Sequence, residues 1–375
     1  MFRKTVLFCI ITAIFIGIFV PFSVCAEGLD ISVSASSAVL IEAESGRVLY
    51  EKDADKRRPM ASTTKIMTAL VALENADLDM SVKIPMEAVG IEGSSVYLTE
   101  GETLTLRELL YALMLRSAND AAAAIAIAVG GSVSDFSEMM NEKAEEMGLT
   151  DTHFDNPHGL DSDEHYTTAR ELALITAEAL KNEVFREIVS TYKKLLPLGN
   201  VPDRRLVVNH NRLLRTYEGC IGVKTGFTKK DGRCLVSAAE RDGVTLIAVT
   251  LNAPNDWSDH KRMLDLGFSS VKRVKISGGG IEGYLPTVGA TESMIKYCAV
   301  GETSAVLQND AGELRVVIEL PRFVFAPVKK GDVIGRAVFM NGENEVASLP
   351  IEAQTDAPKR RVKRTFRQWL LGLFR

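Results

Sequence analysis

Cysteine and proline are scarce in this 375-residue chain and glycine is near its average abundance, with 5 Cys, 12 Pro and 28 Gly. These amounts of Gly and Pro exclude a fibrous protein, and a hydrophobic content of 46% excludes a chain that stays disordered. Neither sign of charge predominates, because the chain has 44 Lys and Arg and 49 Asp and Glu. The net charge of -5 argues against a general nucleic-acid binder. The length predicts about two domains.

The first 26 residues are typical of a secretory signal peptide. Arg3 and Lys4 precede an uncharged apolar stretch, Val6–Val20, and smallish side chains end the segment at Val24-Cys25-Ala26. A retained membrane-spanning helix is the alternative, but it needs about 20 apolar residues. A lipoprotein attached through Cys25 is a weaker alternative, because a bulky valine precedes the cysteine. The sequence therefore predicts export.

The last 17 residues, 359–375, combine positive charge with an apolar helical face. No acidic residue is present, and the basic ones are Lys359, Arg360, Arg361, Lys363, Arg364, Arg367 and Arg375. Apolar side chains recur at steps of three and four, at Val362, Phe366, Trp369, Leu370, Leu373 and Phe374. This pattern predicts a helix lying in an anionic membrane surface, too short to span it; a solvated basic tail is the alternative.

The near-neutral total conceals an acidic body. The two ends carry +2 and +7, so residues 27–358 hold 35 basic and all 49 acidic residues, a net charge of -14. An anionic membrane attracts the tail and repels this body, which predicts a peripheral protein on the outer face of the cytoplasmic membrane.

Cysteine use indicates free thiols. Only Cys220, Cys234 and Cys298 follow the signal peptide, an odd number. Cys220 and Cys234 flank a predicted hairpin that turns at residues 230–232, and the register places Cys234 opposite a residue near 227. A bridge between them is therefore not expected.

Strand and helix patterns divide the chain into a mixed α/β region and a β-rich region. Helical spacing dominates from Ser62 to about Lys181. The strands predicted around it are Ala38–Glu42, Arg47–Tyr50, Ile221–Phe227, Arg233–Ala239 and Thr245–Leu251, followed by a helix at Ser258–Phe268. Strands at both ends of this region imply one sheet that joins distant segments. Short strands such as Leu314–Leu320 and Arg336–Met340 predict a second, all-β domain.

A serine and a lysine in Met60-Ala61-Ser62-Thr63-Thr64-Lys65 form a candidate nucleophile and base. Ser62 begins a predicted helix, and Lys65 shares its face. A serine hydroxyl needs a base, and lysine is one when it is desolvated or near another cation. The spacing S-x-x-K alone proves little, because it recurs at Ser190/Lys193, Ser258/Lys261, Ser269/Lys272 and Ser293/Lys296.

Two further motifs distinguish the first copy. Ser117-Ala118-Asn119 lies between two predicted helices, and Lys224-Thr225-Gly226 lies in a predicted strand where glycine admits a substrate backbone. The ordered set resembles that of penicillin-binding proteins and class A β-lactamases, with Ala118 in place of the middle Asp.

The chain resembles the D-alanyl-D-alanine carboxypeptidases among the low-molecular-mass penicillin-binding proteins over nearly its whole length. Further stretches typical of them are Ser36–Leu49, Gly93–Leu98, Asn156–Asp161 and His165–Arg170. The resemblance implies a β-lactamase/transpeptidase-like α/β domain, an antiparallel sheet with helices on both sides and a helical subdomain, followed by a small all-β domain. We place the peptidase domain at 27–273, the β-rich domain at 274–354 and the anchor at 355–375.

The resemblance also implies the catalytic roles. Ser62 would attack the carbonyl between the two terminal D-Ala residues of a peptidoglycan stem peptide, with neutral Lys65 as base. Ser117 would relay a proton to the leaving amine.

The remaining residues would bind substrate. Lys224 and Thr225 would hold the substrate carboxylate, and Asn119 a substrate amide. Gly226 would admit the backbone, and the N–H groups of Ser62 and Phe227 would form the oxyanion hole. β-Lactams would acylate the same serine; no cofactor, metal or nucleic acid is implied.

Simpler interpretations exist for single residues. Thr225 could be only a strand residue, Asn119 only the N-cap of a helix at Ala121–Val129, and Ser117 only a loop hydroxyl. His158 is expected to hydrogen-bond loop backbone rather than to act in catalysis. The arginine that the family places after the last strand is not evident in Asn252–His260.

Other functions remain as alternatives. The same fold supports D,D-endopeptidase or transpeptidase activity, or weak β-lactamase activity, although no Glu-x-x-Leu-Asn string is present. A zinc peptidase is disfavoured because the 5 His form no H-E-x-x-H pair. A catalytically inactive wall-binding module is disfavoured by the intact motif set.

Overall fold

The structure is a computed structural model that describes residues 31–361. The predicted signal peptide and residues 362–375 of the basic tail lie outside these residues.

Helices form the middle of the first region and close it. Those within residues 31–361 are α1 Lys65–Asn75, α2 Leu106–Leu115, α3 Asn119–Gly130, α4 Val133–Glu146, α5 Ala169–Leu180, α6 Glu183–Ser190, α7 Leu213–Thr216 and α8 Asp256–Ser270. Local sequence explains several starting points. Thr105 caps α2 in a capping box with Glu108, and Thr168 and Asn182 cap α5 and α6.

Strands flank the helices and make up the second region. They are β1 Ser37–Glu42, β2 Val48–Lys52, β3 Ser81–Lys83, β4 Thr103–Thr105, β5 Lys193–Leu198, β6 Val201–Val208, β7 Cys220–Thr228, β8 Gly232–Arg241, β9 Val244–Leu251, β10 Val271–Ser277, β11 Glu282–Val288, β12 Met294–Ala299, β13 Glu302–Gln308, β14 Arg315–Glu319, β15 Val324–Phe325, β16 Val333–Asn341 and β17 Asn344–Ala353.

The central sheet joins the two ends of the first region. Its order is β2-β1-β9-β8-β7, and every neighbouring pair is antiparallel. Ser37 lies opposite Leu251, so segments more than 200 residues apart meet in one sheet, as the sequence predicted. β7 lies at one edge of this sheet and β2 at the other.

Both faces of the sheet are covered. In β1, Val39 and Ile41 pack in the core that includes helices α1 to α6, whereas Ala38 and Leu40 pack on the opposite side with residues of α8. This alternation follows from the two-residue period of a strand. The predicted antiparallel sheet with helices on both sides is confirmed.

The long helical stretch predicted from Ser62 to Lys181 is only partly correct. A two-stranded sheet, β3 with β4, interrupts it, and extended segments join α1 to α2 and α4 to α5. The three-residue strands β3 and β4 are too short to show a period of two. α3 is the inner helix of the helical subdomain, and its residues 121–126 are all buried.

The β-rich region follows α8. Its six-stranded sheet has the order β14-β16-β17-β12-β11-β15, and β10 pairs with β13. The predicted strands Leu314–Leu320 and Arg336–Met340 correspond to β14 and β16. Two small cores stabilise this region, one around Ile276, Phe339 and Ile351 and one around Leu285 and Ile295.

Candidate active site

Ser62 lies in a tight turn immediately before α1. Residues Ala61–Thr64 form a 3₁₀ helix, so the predicted helix start at Ser62 is replaced by a start at Lys65. Ala61 has φ +48°, a left-handed conformation that is uncommon for a residue with a Cβ and is often found at functional sites. The Thr64 hydroxyl donates to the Ala61 carbonyl at 2.8 Å and helps to hold the turn.

Lys65 lies directly behind Ser62. Its Nζ is 3.0 Å from Ser62 Oγ, 2.7 Å from Asn119 Oδ1 and 2.5 Å from the His158 carbonyl oxygen. The last two partners can only accept, so a neutral amine donates both its protons to them. The lone pair of the amine is then available to the Ser62 hydroxyl.

Two buried lysines face this site, and burial lowers both pKa values. Lys65 is 0% exposed and Lys224 is 1% exposed. Burial, followed by the charge of Lys224, holds the pKa of Lys65 well below its usual value, although Asp120 opposes the shift. Burial lowers the pKa of Lys224 to about 7. Lys65 is therefore suited to act as a base near neutral pH.

Ser117 connects the two helices α2 and α3 and meets Lys224. Its φ of +62° lies in the left-handed region and turns the chain sharply between the helices. Lys224 Nζ donates to Ser117 Oγ at 2.9 Å and to the Thr225 carbonyl at 2.6 Å. Ser117 thus has a specific cationic neighbour, unlike an ordinary loop hydroxyl.

Asn119 is the first residue of α3, and Ala118 occupies the N-cap position. The alternative that Asn119 serves only as an N-cap is therefore wrong. Its Oδ1 accepts from Lys65, its Nδ2 donates to the Glu92 carbonyl at 2.5 Å, and its backbone N–H donates to the Ser94 carbonyl. The side chain positions Lys65 and joins α3 to the segment around 92–94.

Edge strand β7 packs against the Ser62 turn through Gly226. A Cβ placed on Gly226 would lie 3.1 Å from the Ser62 nitrogen and 3.2 Å from the Met60 carbonyl oxygen. Glycine therefore allows the strand to approach the turn. The next residue, Phe227, is 64% exposed.

A cavity of about 480 Å³ opens between β7 and the helical subdomain. Ser62, Ser117, Thr225, Gly226 and Phe227 all contribute to its lining. The sequence motifs, which are separated by up to 162 residues (62 to 224), thus converge on one cleft.

Sequence reasoning missed several residues that build this cleft. The carbonyl of His158 accepts from Lys65, while its ring Nδ1 accepts from the Leu160 N–H at 3.3 Å, as expected of a loop residue. Burial, then Lys65, lowers the pKa of His158 to about 3, so its ring is neutral. A backbone carbonyl carries no side-chain signal, which is why its role was not found.

His165 and Asp120 were also missed. His165 Nδ1 accepts from the Asp155 N–H, so the Nε2–H donates to Thr64 Oγ1 at 2.7 Å and supports the Ser62 turn. The buried Asp120 carboxylate accepts from Ser95 Oγ at 2.6 Å and from backbone N–H groups of residues 96 and 98. Only its position next to Asn119 could have drawn attention to it.

The outer wall of the cavity differs from the family expectation. The segment after β9 contributes Asp256 and Trp257 instead of an arginine. Arg212 and Arg233 supply cations at this wall, and Arg233 Nε donates to Asp256 Oδ2 at 3.0 Å.

Comparisons with known proteins identify a family. Residues 23–255 match the family Peptidase_S11, described as D-alanyl-D-alanine carboxypeptidase. The chain is 32% identical over 366 residues to the D-alanyl-D-alanine carboxypeptidase DacF of Bacillus subtilis, covering 91% of each chain.

Solved structures share the overall fold. Penicillin binding protein 5 from Haemophilus influenzae superposes with a TM-score of 0.71 at 26% identity, over 88% of this chain and 99% of that one. The DD-transpeptidase of Streptomyces K15, solved as a serine-to-alanine mutant, superposes with a TM-score of 0.61 at 36% identity, over 64% of this chain and 100% of that one.

Proposed function

The chain belongs to the D-alanyl-D-alanine carboxypeptidase family, and on that premise we propose that Ser62 is the nucleophile that removes the terminal D-alanine from peptidoglycan stem pentapeptides. The protein is a serine-type carboxypeptidase whose substrate class is the peptidoglycan stem peptide. The proposal concerns the residues, their roles and the place where the enzyme works.

In the first step Ser62 Oγ attacks the carbonyl carbon between the two D-Ala residues, and Lys65 Nζ takes the hydroxyl proton. The oxyanion accepts hydrogen bonds from the backbone N–H groups of Ser62 and Phe227. When the C–N bond breaks, Ser117 donates a proton to the leaving amine and receives one from Lys224. One of the two lysines carries the positive charge throughout: Lys224 before this step and Lys65 after it.

In the second step water hydrolyses the acyl-enzyme. The proton returns to Lys224, so neutral Lys65 accepts a proton from the attacking water. The Ser62 ester bond breaks, and Lys65 returns that proton to Ser62 Oγ. One water is consumed, and free D-Ala and a tetrapeptide are the products.

Substrate binding completes the proposal. The terminal carboxylate faces Lys224 and Thr225, and the peptide lies along edge strand β7 past Gly226 and Phe227, adding to the sheet by its backbone. Asn119 is placed to hold a substrate amide. A β-lactam resembles this peptide and acylates Ser62 in the same way.

The observation that carries the proposal is the hydrogen-bonding environment of Lys65 Nζ. Two carbonyl acceptors and Ser62 Oγ occupy its three hydrogen-bonding directions, and the lysine is fully buried beside a second lysine. A structural lysine would instead be paired with a carboxylate. Among the described residues, the hydrogen-bond partners of Lys65 Nζ are two carbonyl oxygens and one hydroxyl, and none of them is a carboxylate.

Penicillin labelling tests the assignment. Intact mass spectrometry should show one stable penicillin adduct, and peptide mapping should place it on Ser62. Ser62→Ala should abolish both the adduct and the release of D-Ala from a pentapeptide, whereas Ser190→Ala, in another S-x-x-K copy, should retain both. Release of D-Ala by Ser62→Ala at the wild-type rate would refute the proposal, and rapid turnover of penicillin would favour a β-lactamase.

We also propose that the enzyme works outside the cytoplasmic membrane, after cleavage of residues 1–26, and is held there by residues 359–375. Within the described residues no helix has the length and apolarity needed to cross a bilayer. The peptidase domain is placed at 27–273, the β-rich domain at 274–354 and the anchor at 355–375. Deleting 359–375 should release the protein from membranes in a fractionation assay, and unchanged partition would contradict the anchor.

A further inference from the structure

An apolar face lies exposed on one edge of the β-rich sheet. Among the large apolar side chains that solvent reaches, four lie on strands β11, β12 and β15 and a fifth directly precedes β15: Tyr284, Val288, Met294 and Phe325, with Phe323 before the strand. Tyr284 is 65% and Phe325 is 69% exposed. We call these five residues the apolar edge face.

The strand register places these side chains on one surface. Tyr284 and Val288 alternate to the same side of β11, Met294 lies opposite Pro286, and Phe325 lies opposite Val288. Directly opposed residues of neighbouring strands point to the same face. Phe323 packs edge-on against Phe325, with ring centroids 5.3 Å apart. The patch is therefore contiguous, and exposed patches of this kind mark sites of interaction.

The described chain ends beside this face. Lys359 forms a β-bridge with Ala290, and the Arg360 N–H donates to the Gly289 carbonyl at 2.8 Å. Gly289 directly follows Val288 of the apolar edge face. The last described residues are therefore paired next to Val288, and the basic residues 362–375 follow them in the sequence.

Charge around the face is opposite to that of the rest of the protein. The segments that build it, 282–296, 321–332 and 355–361, contain seven basic and four acidic residues, whereas residues 27–358 together carry -14. The basic residues are Lys296, Arg322, Lys329, Lys330, Lys359, Arg360 and Arg361. An anionic surface is attracted to this region and repelled by the rest.

We propose that the apolar edge face is a second membrane-contacting surface, which inserts Phe323 and Phe325 into the interface of an anionic bilayer beside the basic tail. Aromatic side chains surrounded by basic ones are the composition that binds at the headgroup level. The tail itself is disfavoured as the occupant, since its positive charge would be brought onto a positively charged region. Two adjacent contacts would fix the orientation of the β-rich sheet on the bilayer, which a single tail cannot do.

This inference rests on the proposed anchoring of the tail, and the two can be tested separately. The full chain from residue 27 is mixed with vesicles of phosphatidylglycerol and phosphatidylcholine, and bound protein is measured by co-sedimentation. Phe323→Ser/Phe325→Ser should weaken binding roughly tenfold or more. The control Val316→Ser/Ile318→Ser removes two exposed apolar side chains from β14 at the opposite edge of the sheet and should change binding less than about twofold.

Deletion of 362–375 forms a separate arm and tests the tail alone. All variants should release D-Ala from a pentapeptide at the wild-type rate, which shows that they are folded and keeps this test independent of the catalytic assignment. Equal vesicle binding by the Phe323/Phe325 variant and the parent would overturn the apolar edge face as a membrane contact, even if the tail deletion abolished binding.

A second measurement locates the side chain directly. Phe325→Trp should gain a fluorescence component that lipids brominated in their acyl chains quench, whereas Val316→Trp should gain none. If bromolipids left the added fluorescence of Phe325→Trp unquenched while the protein was vesicle-bound, the inference would also be overturned, and the tail or a second copy of the chain would be indicated as the cover of this face.

Discussion

The approach of β7 to the Ser62 turn makes Gly226→Ala a sensitive test of the site. The added methyl group would lie 3.1 Å from Ala61 Cβ and from the Ser62 nitrogen. Non-bonded contacts of this kind are ordinarily near 3.5–4.0 Å, so the strand and the turn must separate by a few tenths of an ångström. That movement separates the two N–H groups assigned to the oxyanion hole.

The expected loss is large for so small a change. Removing one oxyanion donor costs about 10²–10³ in rate, and a misplacement near 1 Å costs about 10²; we therefore expect Gly226→Ala to slow acylation by penicillin about 10- to 100-fold. The fold should tolerate it, because alanine suits a strand better than glycine does, and the free energy of unfolding should change by less than about 1 kcal/mol.

Stopped-flow acylation and denaturant unfolding measure the two quantities. Gly312→Ala is the matched control, because a Cβ there meets no atom within 4 Å. If Gly226→Ala acylated within twofold of wild type, the close approach would have no catalytic role. If both acylation and stability collapsed, the glycine would be structural rather than specific to the oxyanion hole.

Further predictions concern protons, the Asp120 carboxylate and the thiols. Because burial lowers the pKa of Lys224 to about 7, this lysine loses its charge as pH rises through that value. It can then neither bind the substrate carboxylate as a cation nor supply a proton through Ser117, so kcat/KM should fall above pH 7, and a profile that stays level well above pH 7 would contradict both roles. Asp120→Ala should lower the free energy of unfolding by about 2–4 kcal/mol, because buried donors in residues 95–98 lose their acceptor. A loss below about 0.5 kcal/mol in urea titration, which is the size of a typical surface substitution, would argue against this role of the carboxylate. Burial raises the pKa of Cys234 to about 12, so iodoacetamide should label the half-buried Cys298 before Cys234 in the native protein. Unfolding should make the two labelling rates equal, and equal rates in the native protein would show that Cys234 is accessible.

The sequence was sufficient to predict the sheet because its strands carry strong patterns. Buried strands such as β9 form continuous apolar runs in the sequence. Strands were predicted at both ends of the first region, and strands need neighbouring strands to pair with, so one shared sheet was expected. The short strands β3 and β4 gave no such pattern, since three residues cannot show a period. The 3₁₀ turn before α1 was missed because residues 62–65 are all polar and carry no spacing that distinguishes a 3₁₀ turn from the first turn of an α-helix.

For the site, side-chain motifs could be recognised, but their supports could not. Ser62, Lys65, Ser117 and Lys224 could be recognised because each lies in a short string of chemically distinctive residues. The His158 carbonyl is invisible to any reasoning about side chains, and His165 acts through a hydroxyl beside the nucleophile rather than on it. Such contacts depend on how loops fold back over α1, which local sequence does not encode.

The position of β7 at the edge of its sheet has a consequence for resistance to inhibitors. Along an edge strand, recognition uses main-chain N–H and C=O groups, which substitutions other than proline leave in place. Substitutions that reduce β-lactam affinity must therefore act by displacing the strand, through its neighbours in β8 or through the turn that Gly226 touches. Displacement affects the natural peptide by the same geometry. Few substitutions can therefore weaken β-lactam binding and still allow hydrolysis of the natural peptide. An inhibitor that contacts the backbone of 225–227 would depend on the fewest side chains that mutation can change.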